Sequence, residues 1–165
     1  MFGKKTTRAA LACALGLTLG LAAAPAHAAD VIKIAVPTPL TGSAAGYGEN
    51  VKAGVDLKLE EINAAGGING KKLEAVYFDE QCEPREAATV SSSIVNDESI
   101  VAIVGHLCSS AHLAGLPAYV REGIAAITPT ATNTTISTKS KDEKGKAWSF
   151  RNVYRDDFQG KFLAD

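Results

Sequence analysis

Two histidines, two serines and a cysteine fall in the run Gly105-His106-Leu107-Cys108-Ser109-Ser110-Ala111-His112. These side-chain types allow three kinds of chemistry: metal ligation, nucleophilic attack by a serine, and hydrogen bonding of an anion. Metal ligation needs further ligands at workable spacing, and no cysteine or carboxylate shares the spacing of His106 and His112. Packed, hydrogen-bonded imidazoles are expected, and no metal. A nucleophilic Ser109 would sit in a G-x-S-x-G elbow with an acid and a base in attendance. Leu107-Cys108-Ser109-Ser110-Ala111 is not that elbow, and no partners are identifiable. Anion binding asks for less: a strand that turns straight into a helix, so that hydroxyls and free backbone N–H groups converge. Ile100-Val101-Ala102-Ile103-Val104 supplies an apolar strand of the kind buried on both faces in parallel sheets, and Gly105 begins the turn.

Other chemical patterns are weaker. Asp79 and Glu80 sit together at another strand end and are expected to cap the next helix or to face solvent. Gly66-Gly67-Ile68-Asn69-Gly70-Lys71-Lys72 has the look of a phosphate loop but lacks the spacing and the Ser/Thr after the lysine, so it reads as a turn. The first strand is followed by Pro37-Thr38-Pro39 where a dinucleotide fingerprint needs glycines, and no cofactor is expected. Thr130 and Thr132 suit either ligand contact or an ordinary loop.

The amino terminus carries Lys4, Lys5 and Arg8, then an apolar run over residues 9–24, then Ala26-His27-Ala28. This pattern reads as a signal peptide, residues 1–28, cleaved after Ala28. The run is too short and too alanine-rich for a membrane anchor, and Cys13 stands too close to Arg8 for a lipoprotein signal. Without that segment the chain has 14 Lys and Arg against 18 Asp and Glu, a net charge of −4. So mildly acidic a domain has no basic stripe for nucleic acid and no charged block for a membrane surface. Two cysteines remain, Cys82 and Cys108, which an exported protein can oxidise to a disulfide or keep as a buried thiol pair.

The elements that must position these residues alternate regularly. Strands are expected at 31–36, 73–78, 100–104, 124–128 and 148–153, with helices at 48–64, from Pro84, and at 109–121. Val51, Val55, Leu59 and Ile62 make one stripe on the first helix, and Ala87, Ala88, Ser91, Ile94 and Val95 make the inner face of the second. Residues 130–146 read as loop. The alternation implies βαβ units and an α/β fold with a doubly wound parallel sheet. In such sheets ligands bind at the carboxyl ends of the strands, near the point where the strand order reverses. Segments 38–47, 106–110 and 128–133 occupy that rim. They are rich in hydroxyls and poor in bases, which suits a small polar ligand rather than phosphates. Residues 155–165 read as a helix with acidic cap candidates and no stop signal, so the chain is expected to continue into a further element.

Several of these segments occur in one order: Ile32-Lys33-Ile34-Ala35-Val36, Pro39-Leu40-Thr41-Gly42, Tyr47-Gly48, Glu61-Ile62-Asn63-Ala64-Ala65-Gly66-Gly67-Ile68-Asn69-Gly70-Lys71-Lys72-Leu73, Gly105 to Ser110, and Ile127-Thr128-Pro129-Thr130-Ala131-Thr132-Asn133. The set resembles the amino-terminal half of the periplasmic leucine/isoleucine/valine-binding proteins of branched-chain amino-acid ABC importers. The resemblance implies a type I periplasmic-binding fold with residues 29–153 in the first lobe and 154–165 as the crossing into a second. It implies that Ser109 binds a ligand α-carboxylate, that Thr132 contacts carboxylate and ammonium, that the Thr130 carbonyl accepts from the ammonium, and that Tyr47 closes over the ligand. It also implies the disulfide Cys82–Cys108. The partners it implies are a small amino acid and a membrane permease, for a monomeric periplasmic protein with no catalytic residue. A sensor of the same fold for amides or small carboxylates, and an exported α/β hydrolase using Ser109, are the alternatives. Two departures stand out: Thr130 replaces what is often a smaller residue, and residues 139–146 are longer and more basic than the family pattern.

Overall fold

A computed structural model describes residues 31–164; the signal-peptide reading of residues 1–28 lies outside them. The chain runs β1 (Val31–Thr38), α1 (Ala45–Ala64), β2 (Lys72–Asp79), α2 (Pro84–Asn96), β3 (Ile100–Val104), α3 (Ser109–Glu122), β4 (Ala125–Thr128), α4 (Thr135–Lys139), β5 (Ser149–Arg151) and α5 (Asp156–Ala164). The strands form one sheet in the order β2-β1-β3-β4-β5, and every pairing is parallel. This is the expected doubly wound α/β architecture. Its order reverses between β1 and β3, the point in such sheets at which ligands bind outside the carboxyl ends of the strands.

One face of the sheet is closed by α2 and α3. Ala35, Ile94, Ile100, Ile103, Tyr119 and Ala126 form a buried cluster there, packed on further half-buried side chains such as Phe78 and Val90. On α2, Ala87, Ser91 and Ile94 are buried and Val95 half-buried, as the spacing predicts, whereas Ala88 of the expected inner face is exposed because it lies one step round the helix from Ala87. Gly123 ends α3 in the left-handed conformation, its N–H donating to the Tyr119 carbonyl.

The other face departs from expectation. The apolar run of β3 was read as buried on both sides, yet Val101 is 58% exposed, and Ile127 and Phe150 are about half exposed. The register aligns Val104 with Ile127 and Ile127 with Phe150, so these three share one face. Among the described elements only α1 lies on that side, and its stripe of Val51, Val55, Leu59 and Ile62 is half-buried, lining an open groove of about 440 Å³ with Ile34, Leu73 and Val104.

Smaller differences have local causes. β1 continues through Pro37 to Thr38, because β3 pairs only as far as Ala35 and the proline occupies a stretch bonded to β2 alone. α1 starts at Ala45, so Tyr47 stands in its first turn rather than in a loop. Gly48 is needed there, since a Cβ would lie 1.7 Å from the Pro39 carbonyl oxygen. The segment read as loop contains α4. The 66–72 run is a tight turn, with Ile68 bridging Lys71, at the end of the sheet away from the strands' carboxyl ends. Among the described residues no helix is long and apolar enough to cross a membrane.

Candidate functional site

Three turns meet at the carboxyl rim. After β3 the chain passes through Gly105, where a Cβ would lie 2.3 Å from the Pro37 carbonyl oxygen; only glycine lets the two strand ends approach so closely. Cys108 is then the extended residue before α3, with no side chain capping the helix. The first N–H groups of α3 therefore remain open towards the rim, and Ser109 is the first residue of that helix.

The turn after β4 is tied to this one by hydrogen bonds. Thr128 Oγ1 donates to the His106 carbonyl at 2.7 Å, and Thr130 Oγ1 donates to the Leu107 carbonyl at 2.7 Å. The Asn133 N–H donates to Ser109 Oγ at 3.3 Å, which leaves the Ser109 hydroxyl proton free for another acceptor. Ser109, Thr130 and the segment carrying Thr132 are thus brought into one corner. The Thr130 hydroxyl, larger than the family pattern, serves as a brace between the two turns. Tyr47 stands apart, 70% exposed, and among the described residues it shares no hydrogen bond with that corner.

Arg151, which the sequence reading did not single out, holds the second turn from β5. Its guanidinium donates to the carbonyls of Ala131 (3.2 Å) and Asn133 (2.9 Å) and to Ser137 Oγ (3.1 Å). An arginine three residues after a tryptophan at a short strand carries no signal of this role until the strand is placed beside β4.

Behind the rim lies a buried polar layer. His106 and His112 are fully buried, as packed imidazoles should be. His106 Nε2 meets Tyr119 Oη at 2.8 Å, and Tyr119 Oη meets Ser91 Oγ at 2.7 Å. His112 Nε2 meets Ser149 Oγ at 2.7 Å, while its Nδ1 faces the Gly105 carbonyl and the His106 N–H. Burial, with His106 nearby, pushes the His112 imidazole down to about 4, so it is neutral near pH 7. Burial likewise raises the Tyr119 phenol above its ordinary range.

The carboxylates differ from expectation. Asp79 caps no helix; it grips the β1–α1 loop. Its Oδ1 accepts from the N–H groups of Leu40 (2.9 Å), Thr41 (3.3 Å) and Gln81 (3.2 Å), and its Oδ2 accepts from the Thr41 hydroxyl. Burial works against its charge, and these donors outweigh it, holding the carboxyl below the ordinary range. Glu80 is neither a cap nor exposed: it is fully buried, with Oε2 3.7 Å from His106 Nδ1. Cys82 and Cys108 form a disulfide with Cα atoms 5.4 Å apart. Across a separation of 26 residues such a link constrains the unfolded chain by about 3–4 kcal/mol.

Among the described residues no group of three or more His, Cys, Asp and Glu is placed to hold a metal ion. A concavity of about 790 Å³ lies between the second half of α3 and residues 139–148, at the amino ends of β4 and β5 and away from the rim. The basic segment beside it is organised by itself: Asp142 accepts from the N–H groups of Lys144 and Lys146 and from Trp148 Nε1, and Lys146 lies 3.6 Å over the Trp148 ring.

A doubly wound parallel α/β sheet with hydroxyl-rich turns at its strand-order reversal is the architecture in which small ligands are held at that rim. A family model of the periplasmic binding proteins matches residues 31–161, and the chain belongs to that family. It is 41% identical over 142 residues to a leucine-, isoleucine-, valine-, threonine- and alanine-binding protein of Pseudomonas aeruginosa, covering 84% of this chain and 36% of the relative. It is 42% identical over 104 residues to the Leu/Ile/Val-binding protein of Escherichia coli, 63% of this chain and 28% of that one. Among solved structures it is similar to the branched-chain amino-acid transporter substrate-binding protein LivJ of Streptococcus pneumoniae in complex with isoleucine. That match has 36% identity and a TM-score of 0.72, over 81% of this chain and 36% of the other. The chain thus spans well under half the length of these relatives.

Proposed function

We propose that residues 29–153 are one lobe of an exported solute-binding protein that captures a branched-chain or related amino acid for an ABC importer. The observation that carries this reading is the corner at Ser109: a free hydroxyl proton and open helix N–H groups face the rim beside Thr130 and Thr132. That arrangement suits a carboxylate, and the relatives' names point to amino acids. Ser109 takes the carboxylate, Thr132 spans carboxylate and ammonium, the Thr130 carbonyl accepts from the ammonium, and Tyr47 folds over the ligand. With its hydroxyl spent on Leu107, Thr130 has its carbonyl left for this task.

The remaining contacts come from a second lobe, entered through residues 154–165. In support, α5 has no buried residue, and Phe158, Phe162 and Leu163 are 65%, 75% and 77% exposed. Closure of two lobes over the amino acid shifts the population to a form that a membrane permease recognises. The protein works as a monomer in the periplasm after loss of residues 1–28, without cofactor, metal or nucleic acid.

The hydrolase alternative needs a base on Ser109. Both imidazoles of the corner are committed elsewhere: His106 to Tyr119, His112 to Ser149. Titration calorimetry of the mature full-length protein against the amino acids and simple amides tests the proposal. Leucine, isoleucine or valine should bind, and Ser109→Ala should weaken binding at least about tenfold, as expected for losing a hydrogen bond to a charged group. Binding of amides alone would favour the sensor, and failure of every amino acid would end the transport reading.

A further inference from the structure

The turn from β2 to α2, residues 79–83, contacts the β1–α1 loop and the 105–109 turn, and none of its own residues is a proposed ligand contact. β2 and β3 are not neighbours; β1 lies between them, so their axes are about 10 Å apart. The turn crosses that gap over the end of β1. On the near side, Asp79 receives three backbone N–H groups and one hydroxyl, two of the N–H groups and the hydroxyl coming from Leu40 and Thr41 of the β1–α1 loop. On the far side, Cys82 is bonded to Cys108, the residue before Ser109. Between them, Glu80 is buried against His106, whose carbonyl receives Thr128 Oγ1 from the third loop.

The turn holds two consecutive non-glycine residues in the left-handed region, Gln81 at φ 52° and Cys82 at φ 57°. Such residues are strained and persist where surrounding structure over-determines them. Both oxygens of Glu80 and Nδ1 of His106 are buried without a hydrogen-bond partner among the described residues, a costly arrangement for a site with no task. The turn is sustained at this expense by the disulfide, the Asp79 carboxylate and the Glu83 N–H to Glu80 carbonyl bond of 2.8 Å.

From this geometry we propose that the 79–83 turn is a strut that sets the spacing of two of the ligand-facing segments, the β1–α1 loop and the 105–109 turn. Asp79 is the positioning residue for the β1–α1 loop and Tyr47, and Glu80 with Cys82 positions the 105–109 turn and Ser109. The proposal rests on the reading of Tyr47 and Ser109 as ligand contacts.

Two measurements on the full-length protein test it. In the ligand-free protein, amide hydrogen exchange is followed for residues 40–47, with β3 and β4 as internal references. Asp79→Ala should speed exchange of residues 40–47 by about tenfold or more while the references hold, because it deletes three charge-assisted bonds to that loop. Leucine titration should show about a tenfold loss of affinity for Asp79→Ala, on the same grounds. Asp79→Asn should recover most of it, since the amide oxygen still accepts from the backbone and the amide nitrogen can donate to the Thr41 hydroxyl. Thr41→Val, a milder change from the other partner, should move both readouts in the same direction by less. In a double-mutant cycle, Asp79→Ala and Tyr47→Ala should be non-additive, whereas general loosening would leave them additive. Unchanged exchange in residues 40–47, equal losses for the Ala and Asn variants, or full additivity would overturn the strut. If the unsubstituted protein binds no amino acid, the functional reading fails, and exchange in residues 40–47 alone decides whether Asp79 positions that loop.

Discussion

The two faces of the sheet are built from strands of the same apolar character and are nevertheless unlike. Under α2 and α3 the side chains are sealed, and a polar layer of Ser91, His106, His112, Tyr119 and Ser149 is threaded through the seal with its hydrogen bonds made inside the protein. Beside α1 the same strands leave Val104 half-buried and Ile127 and Phe150 half-exposed, and the polar contact there, Tyr77 Oη donating to Asp56, lies at the exposed edge. The sealed face stands directly behind the rim and fixes the turns that carry Ser109 and Thr130. Among the described residues, no side-chain hydrogen bond ties the open face to the rim corner.

Paired truncations should separate the two faces most widely. Ile103→Ala, on the sealed side, should cost about 2–5 kcal/mol in denaturant unfolding, through lost burial and a residual cavity. Ile127→Ala, at 47% exposure on the open side, should cost about 1 kcal/mol or less. Equal costs would mean that the open face is covered in solution and that the contrast is false.

The next effect is one of pH. His112 titrates near its ordinary 6.5 when unfolded and at about 4 when folded. The folded pKa is lowered, so the stability it reflects is complete above 6.5 and is lost as pH falls towards 4. The loss amounts to about 3 kcal/mol at most, at 1.36 kcal/mol per unit. Unfolding free energies measured across that window should decline, and His112→Gln should remove that part of the slope whatever its own baseline. An unchanged slope would show that the imidazole is not sealed.

The smallest of the three effects concerns the polar layer itself. Tyr119→Phe keeps the ring and removes the hydroxyl that joins Ser91 to His106. Ser91 Oγ still donates to the Ala87 carbonyl, whereas His106 Nε2 retains only a 3.4 Å approach from Ser91. A loss of about 1–3 kcal/mol is expected, the cost of leaving a buried group unsatisfied. A neutral result would mean that water reaches the layer and that this face, too, is open.

Much of this was legible in the chain. Alternating apolar runs and helical stripes specify βαβ units, because burial of one stripe or one run needs neighbours at fixed periods, and parallel connections then follow. Ser109 could be placed at a strand-to-helix turn for the same reason, and the ordered motifs named its family. Asp79, Glu80 and Arg151 were misread or passed over. A carboxylate three residues before a cysteine looks the same whether it caps a helix, meets water or grips a loop 38 residues away.

Local sequence determined the elements other than α4, the order of their connections, the hydroxyl-rich rim and the packing of the two histidines, since each rests on periodicity, turn chemistry or side-chain type within a short window. Tertiary structure alone decided which face is sealed, that the 79–83 turn spans β1 to reach Cys108, and that Arg151 and the Thr130 hydroxyl brace the rim. Those outcomes depend on strands that are distant in the chain and adjacent in space, and hydrogen bonds act over a few ångströms of space, whatever the distance along the chain.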